Sequence, residues 1–111
     1  MSDAQSDVLA RALVEANIEK GVKNPGFSLD GAPSKPDYPH IEFFDAYPSV
    51  GQGIFGSYAL DLYTADAWDV TRCKEIRSRK LEELQRRIRR ELGLTERRYR
   101  QIRYPSPPCV P

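Results

Sequence analysis

The feature that most constrains the fold is a helical stripe of apolar residues in the second half of the chain. Apolar side chains recur there at short, helix-like intervals, at Val70, Cys73, Ile76, Leu81, Leu84, Ile88 and Leu92. This spacing is typical of an amphipathic helix, and Gly93 stands where a glycine commonly ends one. Asp66 or Asp69 is a candidate N-cap. We predict a long helix over residues 70–92 that packs its stripe against another layer.

A second helix is predicted near the N-terminus, over residues 4–20. Its apolar positions also recur at three and four, at Val8, Leu9, Ala12, Leu13 and Ala16. Ser2 and Gln5 have the spacing of a capping box, and Gly21 is the predicted stop. Residues 22–37 are rich in glycine and proline, so we predict a long loop there.

Two strands are predicted between the helices, separated by a long loop over residues 45–56. In the first, Ile41 and Phe43 lie on one face and His40, Glu42 and Phe44 on the other; in the second, Tyr58, Leu60 and Leu62 share one face. We expect Ile41 and Phe43 to share one core with residues of the second strand and of the long helix, namely Leu60, Leu62, Ile76, Leu81, Leu84 and Ile88. Residues 98–104 are a possible edge strand, and prolines prevent its continuation into the tail 105–111. The sequence predicts one α+β domain over residues 1–104, in which two helices pack on one face of a small antiparallel sheet. The order is α-β-β-α, with a possible further strand.

Three glycines, Gly51, Gly53 and Gly56, match the G-x-G-x-x-G spacing of nucleotide-binding loops. That chemistry needs a helix N-terminus directly after the glycines, because the pyrophosphate binds there. Here an alternating strand follows, so we interpret the glycines as a hairpin connection and expect no nucleotide cofactor.

The residues with catalytic or metal-binding potential are few. His40 is the single histidine, and Cys73 and Cys109 are the two cysteines. We find no catalytic constellation or metal-ligand spacing and expect a protein that is not an enzyme, with no cofactor and no metal. No apolar run is long enough to span a bilayer, and no secretory signal is visible. With two distant cysteines, we expect reduced thiols, a cytosolic chain and no disulfide.

Charge is divided sharply along the chain. Residues 1–71 hold four basic and eleven acidic residues, whereas residues 72–111 hold thirteen basic and five acidic ones. Arg86, Arg87, Arg89 and Arg90 form the densest basic group. Nucleic acid is one possible partner of this group, with Tyr99 and Tyr104 as stacking residues. The other interpretation is a protein-binding or solvated face, in which Glu82–Arg86 and Glu83–Arg87 pairs support the helix.

The order of elements resembles that of the tail-terminator, or head–tail joining, proteins of long-tailed bacteriophages. The resemblance rests on an N-terminal helix, the strand "YPHIEFF", the strand "YALDLYT", and a helix with "CKEIRSRKLEELQRRI" after "ADAWD". It covers about residues 5–92. It implies a structural virion protein without catalytic residues, forming a ring, usually of six copies, that joins the tail tube protein to a head-completion protein.

For such a ring we predict a contact between copies that pairs charges of opposite sign. The candidate interface residues are Arg86, Arg87, Arg89 and Arg90 on one side and Asp45, Asp61 and Asp66 on the other. The alternative is a small cytosolic binding module whose basic helix docks nucleic acid or an acidic protein.

Overall fold

The computed structural model of the chain describes residues 1–18, 26–51 and 53–109, and within them three helices and five strands. The helices are α1 (Asp3–Asn17), α2 (Arg79–Glu91) and α3 (Glu96–Ile102). The strands are β1 (Phe27–Gly31), β2 (Ile41–Pro48), β3 (Gly56–Asp61), β4 (Ala67–Asp69) and β5 (Lys74–Glu75). The strands form one sheet in sequence order, and every neighbouring pair is antiparallel. The predicted α+β class is confirmed.

The main core lies between one face of the sheet and the helices α1 and α2. The sheet contributes Phe44 and Ala46 from β2, Tyr58 and Leu60 from β3, and Ala67 from β4. Residues two apart on a strand point to the same face, which is why these positions meet the helices together. The helices bury an apolar stripe against them, made of Leu9, Ala10, Leu13, Val14, Leu81 and Ile88.

The opposite face of the sheet carries a second apolar cluster, centred on Ile41, Phe43, Ala59 and Trp68. Tyr38 and Tyr104 pack over this cluster from the neighbouring chain segments. The expectation that Ile41 and Phe43 share the helix-packed core is therefore wrong. Phe44 takes that place, because the register pairs it with Tyr58 on the helix side.

The predicted long helix is shorter than its apolar stripe. Residues 70–78 are a turn, the strand β5 and a connection, and α2 begins at Arg79 with Ser78 as its N-cap. The Ser78 hydroxyl accepts a hydrogen bond from the Leu81 amide over 3.1 Å, which starts the helix there. Cys73 has a φ of 56°, a left-handed conformation that a helix cannot contain. The predicted stop at Gly93 is confirmed by its φ of 71°.

Further elements differ from prediction. The strand β4 was not predicted, and the predicted loop 45–56 is shorter, because residues 45–48 belong to β2 and Gly56 begins β3. Part of the predicted loop 22–37 forms β1, which pairs with β2 and places Leu29 opposite Ala46. The possible edge strand over residues 98–104 is instead largely helix α3, which Thr95 caps through the Arg98 amide at 3.1 Å. A capped turn satisfies backbone donors locally, so this segment needs no sheet partner.

The N-terminal helix begins as predicted. The Ser2 hydroxyl accepts from the Gln5 amide over 3.1 Å, and the Gln5 side chain accepts from the Ser2 amide over 2.9 Å. This reciprocal pair is the predicted capping box. The predicted end at residue 20, the stop at Gly21, residues 22–25 of the loop and residues 110–111 of the tail lie outside the described residues.

The three glycines lie where β2 connects to β3. Gly51, Gly53 and Gly56 have φ values of 96°, 104° and 158°, and Gly56 is the first residue of β3. The hairpin interpretation is confirmed, because a strand rather than a helix follows the glycines.

The expectation of two reduced cysteines is wrong. Cys73 and Cys109 form a disulfide, with their Cα atoms 5.6 Å apart. The prediction failed because it placed Cys73 inward on a helix, whereas the turn between β4 and β5 carries it to the surface beside the returning tail. Among the described residues, no helix has the length and apolar character needed to cross a membrane.

Candidate functional site

The outer surface of the helix layer carries an open groove between α1 and α2. The two helices run antiparallel: Gln5 near the start of α1 donates to Glu91 at the end of α2 over 3.4 Å. At the other end, Glu15 and Ala16 lie beside Lys80 and Leu81. The groove has a volume of about 730 Å³ and is lined by Val8, Arg11, Ala12, Glu15, Lys80, Glu83, Leu84, Arg86, Arg87 and Arg90.

Each wall of the groove is one helical stripe. On α1, the lining residues stand at positions 8, 11, 12 and 15, and on α2 most stand at positions 80, 83, 84, 87 and 90. Steps of three and four place these side chains on one face of each helix. Each helix thus carries two stripes of residues: one faces inward and forms the core, and the other faces outward and lines the groove.

The groove combines an apolar floor with a basic rim. Val8, Ala12 and Leu84 supply the apolar atoms, and Val8 is 49 % exposed. Five basic residues and two acidic ones, Glu15 and Glu83, are the charged members of the lining. Within the described residues, no carboxylate lies within ion-pair distance of Arg86, Arg87 or Arg90. These three guanidinium groups are exposed, so their charge faces solvent.

The helix-supporting pairs expected from the sequence are not formed in the part of the chain that the structure describes. Glu82 lies 3.7 Å from Arg77 rather than beside Arg86. The alternating charges of α2 therefore do not neutralise its basic side.

Arg89 differs from the other three arginines, because it points into the molecule. Its Nε donates to the Thr64 carbonyl over 2.7 Å, and its Nη2 donates to Asp66 Oδ1 over 2.9 Å. Its guanidinium also stacks over the Tyr99 ring, 4.1 Å from the centroid. Arg89 and Asp66, both candidate interface residues, are thus paired with each other inside one chain, and Asp66 is only 3 % exposed.

The other two candidate aspartates also differ in their surroundings. Asp61 is buried, and its Oδ1 accepts from the Tyr63 and Thr64 amides over 2.8 and 3.2 Å. Burial raises the pKa of Asp61, although these two amide donors partly oppose the shift. Asp45 is half-buried on the sheet face away from the helices, where it accepts from the Ser57 hydroxyl over 2.6 Å. Of the seven candidates, Arg86, Arg87 and Arg90 share one site, and Asp45 remains partly accessible elsewhere.

Neither of the tyrosines proposed to stack on nucleic-acid bases lines the groove, although Tyr99 borders an adjoining pocket together with Arg86 and Arg90. Tyr99 is held by Arg89 and by a 2.7 Å hydrogen bond to Asp66. Tyr104 packs edge-on to Tyr38, with ring centroids 5.5 Å apart, on the opposite side of the sheet. The described lining of the groove includes no aromatic side chain.

Sequence reasoning missed the α1 wall of the site, which is made of Val8, Arg11, Ala12 and Glu15. The signal was present, because Arg11 and Glu15 follow Val8 at helical spacing. What the sequence could not supply is the antiparallel pairing that brings Arg11 opposite the α2 arginines.

Comparison with known proteins gives a fold relationship. No protein-family model matches this chain, and no curated protein matches it. The chain is similar to one chain of a solved type VI secretion system effector-immunity complex from Pseudomonas protegens, with 20 % sequence identity and a TM-score of 0.65. The match covers 91 % of this chain and 87 % of the other. At this identity, the likeness shows that the two chains share a fold.

Proposed function

We propose that this protein is a non-enzymatic binding module that docks an acidic segment of a partner protein in the groove between α1 and α2. The observation that carries the proposal is the arrangement of Arg86, Arg87 and Arg90, exposed and unpaired among the described residues, beside an apolar floor. A helical segment with one apolar face flanked by carboxylates complements both features, since its apolar side chains cover Val8 and Leu84 while its acids meet the rim.

The same groove is a poor match for nucleic acid. Single-stranded nucleic acid binds through aromatic stacking platforms, and the described lining of the groove has none. Tyr99 lies in the adjoining pocket, but the Arg89 guanidinium already stacks on its ring. Apolar floor area contributes little against a phosphate backbone but contributes directly against a protein segment.

The fold relationship supports a protein partner in general terms. The similar chain comes from a structure of an effector-immunity complex, which is an assembly of two proteins. A fold alone does not determine function, so we infer the partner of this chain from its own groove.

The test uses an unbiased probe. A displayed library of random peptides is selected against the wild-type protein at low salt, and enriched peptides are synthesised and measured by fluorescence anisotropy. We expect acidic amphipathic sequences whose affinity falls with salt. Amide chemical-shift mapping should place them on α1 and α2.

Matched variants identify the binding surface. Arg87→Glu combined with Arg90→Glu should weaken binding at least about tenfold, or about 1.4 kcal/mol. The control, Arg97→Glu with Arg98→Glu, makes the same charge change on exposed residues of α3 outside the groove. It should retain affinity within about twofold. Enrichment of basic peptides, or equal binding to both variants, would contradict the proposal, and so would tighter binding of a DNA oligonucleotide that the groove variant loses.

A second proposal is the ring of the tail-terminator type, in which the acidic partner is another copy of this chain. The observation that favours it is a pair of neighbouring carboxylates on the side of the domain opposite the basic groove. Asp30 and Asp45 are cross-strand neighbours on the sheet face away from the helices, whereas the helix layer presents the basic groove. Opposite signs on opposite sides suit a head-to-tail contact.

Light scattering with and without tail tubes tests this ring. Arg86→Glu with Arg90→Glu should abolish assembly, and Asp30→Lys on the acidic side should restore it if the two faces meet. A wild type that stays monomeric under both conditions would exclude the ring while leaving the peptide-binding proposal intact.

A further inference from the structure

The C-terminal segment 103–109 lies across the sheet face opposite the helices, and we refer to it as the strap. Tyr104 packs against the second apolar cluster, and Pro108 is among the fully buried side chains. Residues 103–107 border a small cleft whose other walls are Asp66, Trp68 and Glu75. The strap therefore covers β4 and the neighbouring edge of the sheet, on the face that α1 and α2 do not cover.

Few polar contacts hold the strap. Prolines occupy three of its seven positions and have no amide hydrogen to donate. Among the described backbone hydrogen bonds, residues 104–109 make one, from the Cys109 amide to the Pro107 carbonyl over 2.8 Å. Both partners of this bond belong to the strap. Arg103, at the start of the strap, donates its amide to the Tyr99 carbonyl over 3.0 Å. Beyond Arg103, the strap is attached to the rest of the domain by apolar packing and by the bond between Cys109 and Cys73.

The position of Cys73 makes the disulfide accessible to a reductant in solution. Cys73 is an exposed residue of the turn between β4 and β5, and Cys109 is partly exposed. The disulfide joins residues 36 apart in sequence, so breaking it frees the strap from the turn without cutting the sheet.

We propose that the Cys73–Cys109 disulfide is a redox latch that holds the strap over Trp68 and releases it on reduction. The reductant is a dithiol. One thiolate attacks Cys73 Sγ and forms a mixed disulfide, while Cys109 leaves as a thiolate and takes up a proton. The second thiol of the reductant then attacks the mixed disulfide and releases Cys73. The protein gains two electrons and two protons, and the reductant becomes a disulfide. This inference does not depend on the proposed function.

Trp68 provides a direct readout, because it is the single tryptophan and is 4 % exposed beneath the strap. Full-length protein is compared oxidised and after treatment with dithiothreitol, with alkylation and intact mass confirming both thiols. We expect acrylamide quenching of Trp68 to increase at least about twofold on reduction, since the packing over the indole becomes transient. Circular dichroism should be unchanged, and reoxidation should restore the original quenching.

Two variants distinguish the contribution of the disulfide from that of the packing of Tyr104. Cys73→Ser with Cys109→Ser should match the reduced wild type and stop responding to dithiothreitol. Tyr104→Ala, which keeps both cysteines, should weaken the strap packing yet retain the response to reduction. Complete reduction with unchanged quenching would overturn the latch, because packing alone would then hold the strap. Loss of secondary structure on reduction would also overturn it, because the bond would then serve folding rather than release.

Discussion

The hydroxyl of Tyr99 donates a hydrogen bond to Asp66 Oδ1 over 2.7 Å, joining helix α3 to the turn between β3 and β4. The same carboxylate oxygen accepts from Arg89. Helix α3 buries no residue fully, so this polar contact is a principal attachment of the helix to the domain. Burial and the bond to Asp66 together raise the pKa of Tyr99 to about 12.

Replacing Tyr99 by Phe tests this attachment. The variant loses a hydrogen bond to a charged group and should lower the free energy of unfolding by about 1–2 kcal/mol at neutral pH. The folded pKa is raised above the ordinary value of 10.0, so the contribution is fully present below pH 10 and is lost as the pH rises towards 12. Urea denaturation of both proteins should give a difference that shrinks over this window. A difference independent of pH would show that the hydroxyl is not bonded to Asp66.

Replacing Asp61 by Asn should change the pH dependence of the free energy of unfolding. The change should have the opposite sign to that expected when an ion-paired carboxylate is replaced. The Asn oxygen can still accept from the Tyr63 and Thr64 amides, but the variant carries no buried charge. Because burial raises the folded pKa of Asp61, the stability due to its protonated form is present below pH 3.8 and is lost as the pH rises through the folded pKa. The variant should therefore gain in stability relative to wild type between acidic and neutral pH. A wild type that gains relative to the variant over this range would contradict the burial argument.

The two leucines of α2 lie in different environments, Leu81 in the core and Leu84 in the groove. Leu81 is 1 % exposed, whereas Leu84 is partly buried and lines the groove. Leu81→Ala should cost about 2–5 kcal/mol of unfolding free energy, as expected for a core site. Leu84→Ala should cost distinctly less but should weaken binding of the selected acidic peptides. Equal losses of stability, measured by chemical denaturation, would show that the groove floor is part of the core.

Removing the disulfide should destabilise the oxidised protein. A bond across 36 residues restricts the unfolded chain, and replacing both cysteines by serine should lower the free energy of unfolding by about 3–4 kcal/mol. The comparison uses thermal and urea unfolding of oxidised wild type and the double variant. A change below about 1 kcal/mol would indicate that the disulfide restricts the unfolded chain little.

The sequence predicted elements well where a local signal was strong. The Ser2–Gln5 capping box, the stop at Gly93 and the hairpin at Gly51–Gly56 each depend on neighbours in the chain, and each is present. The start of α2 was predicted too early, because the apolar residues Val70, Cys73 and Ile76 fit helical spacing. Val70 and Cys73 belong to a turn, and Ile76 belongs to the connection between β5 and α2. Spacing alone cannot separate these cases when strands are only two or three residues long.

The site required contacts that no local pattern encodes. The arginines of α2 were found from charge density, but whether each faces solvent or the interior depends on the turn at residues 61–66. That turn places the Thr64 carbonyl and Asp66 against Arg89 and leaves Arg86, Arg87 and Arg90 outside. Likewise, the Cys73–Cys109 bond follows from the return of the tail across the sheet, which proline content alone did not predict.

The central strand β3 is covered on both faces, and from Tyr58 to Asp61 every residue is buried. A strand with one wet face tolerates polar replacements at alternate positions, but this one has no such positions in that stretch. Among divergent relatives we therefore expect the sequence of β3 to vary least, with substitutions mainly between residues of similar volume. The exposed α2 arginines, by contrast, are free to change whenever a partner changes. Such a domain can acquire new binding preferences quickly while its fold remains recognisable.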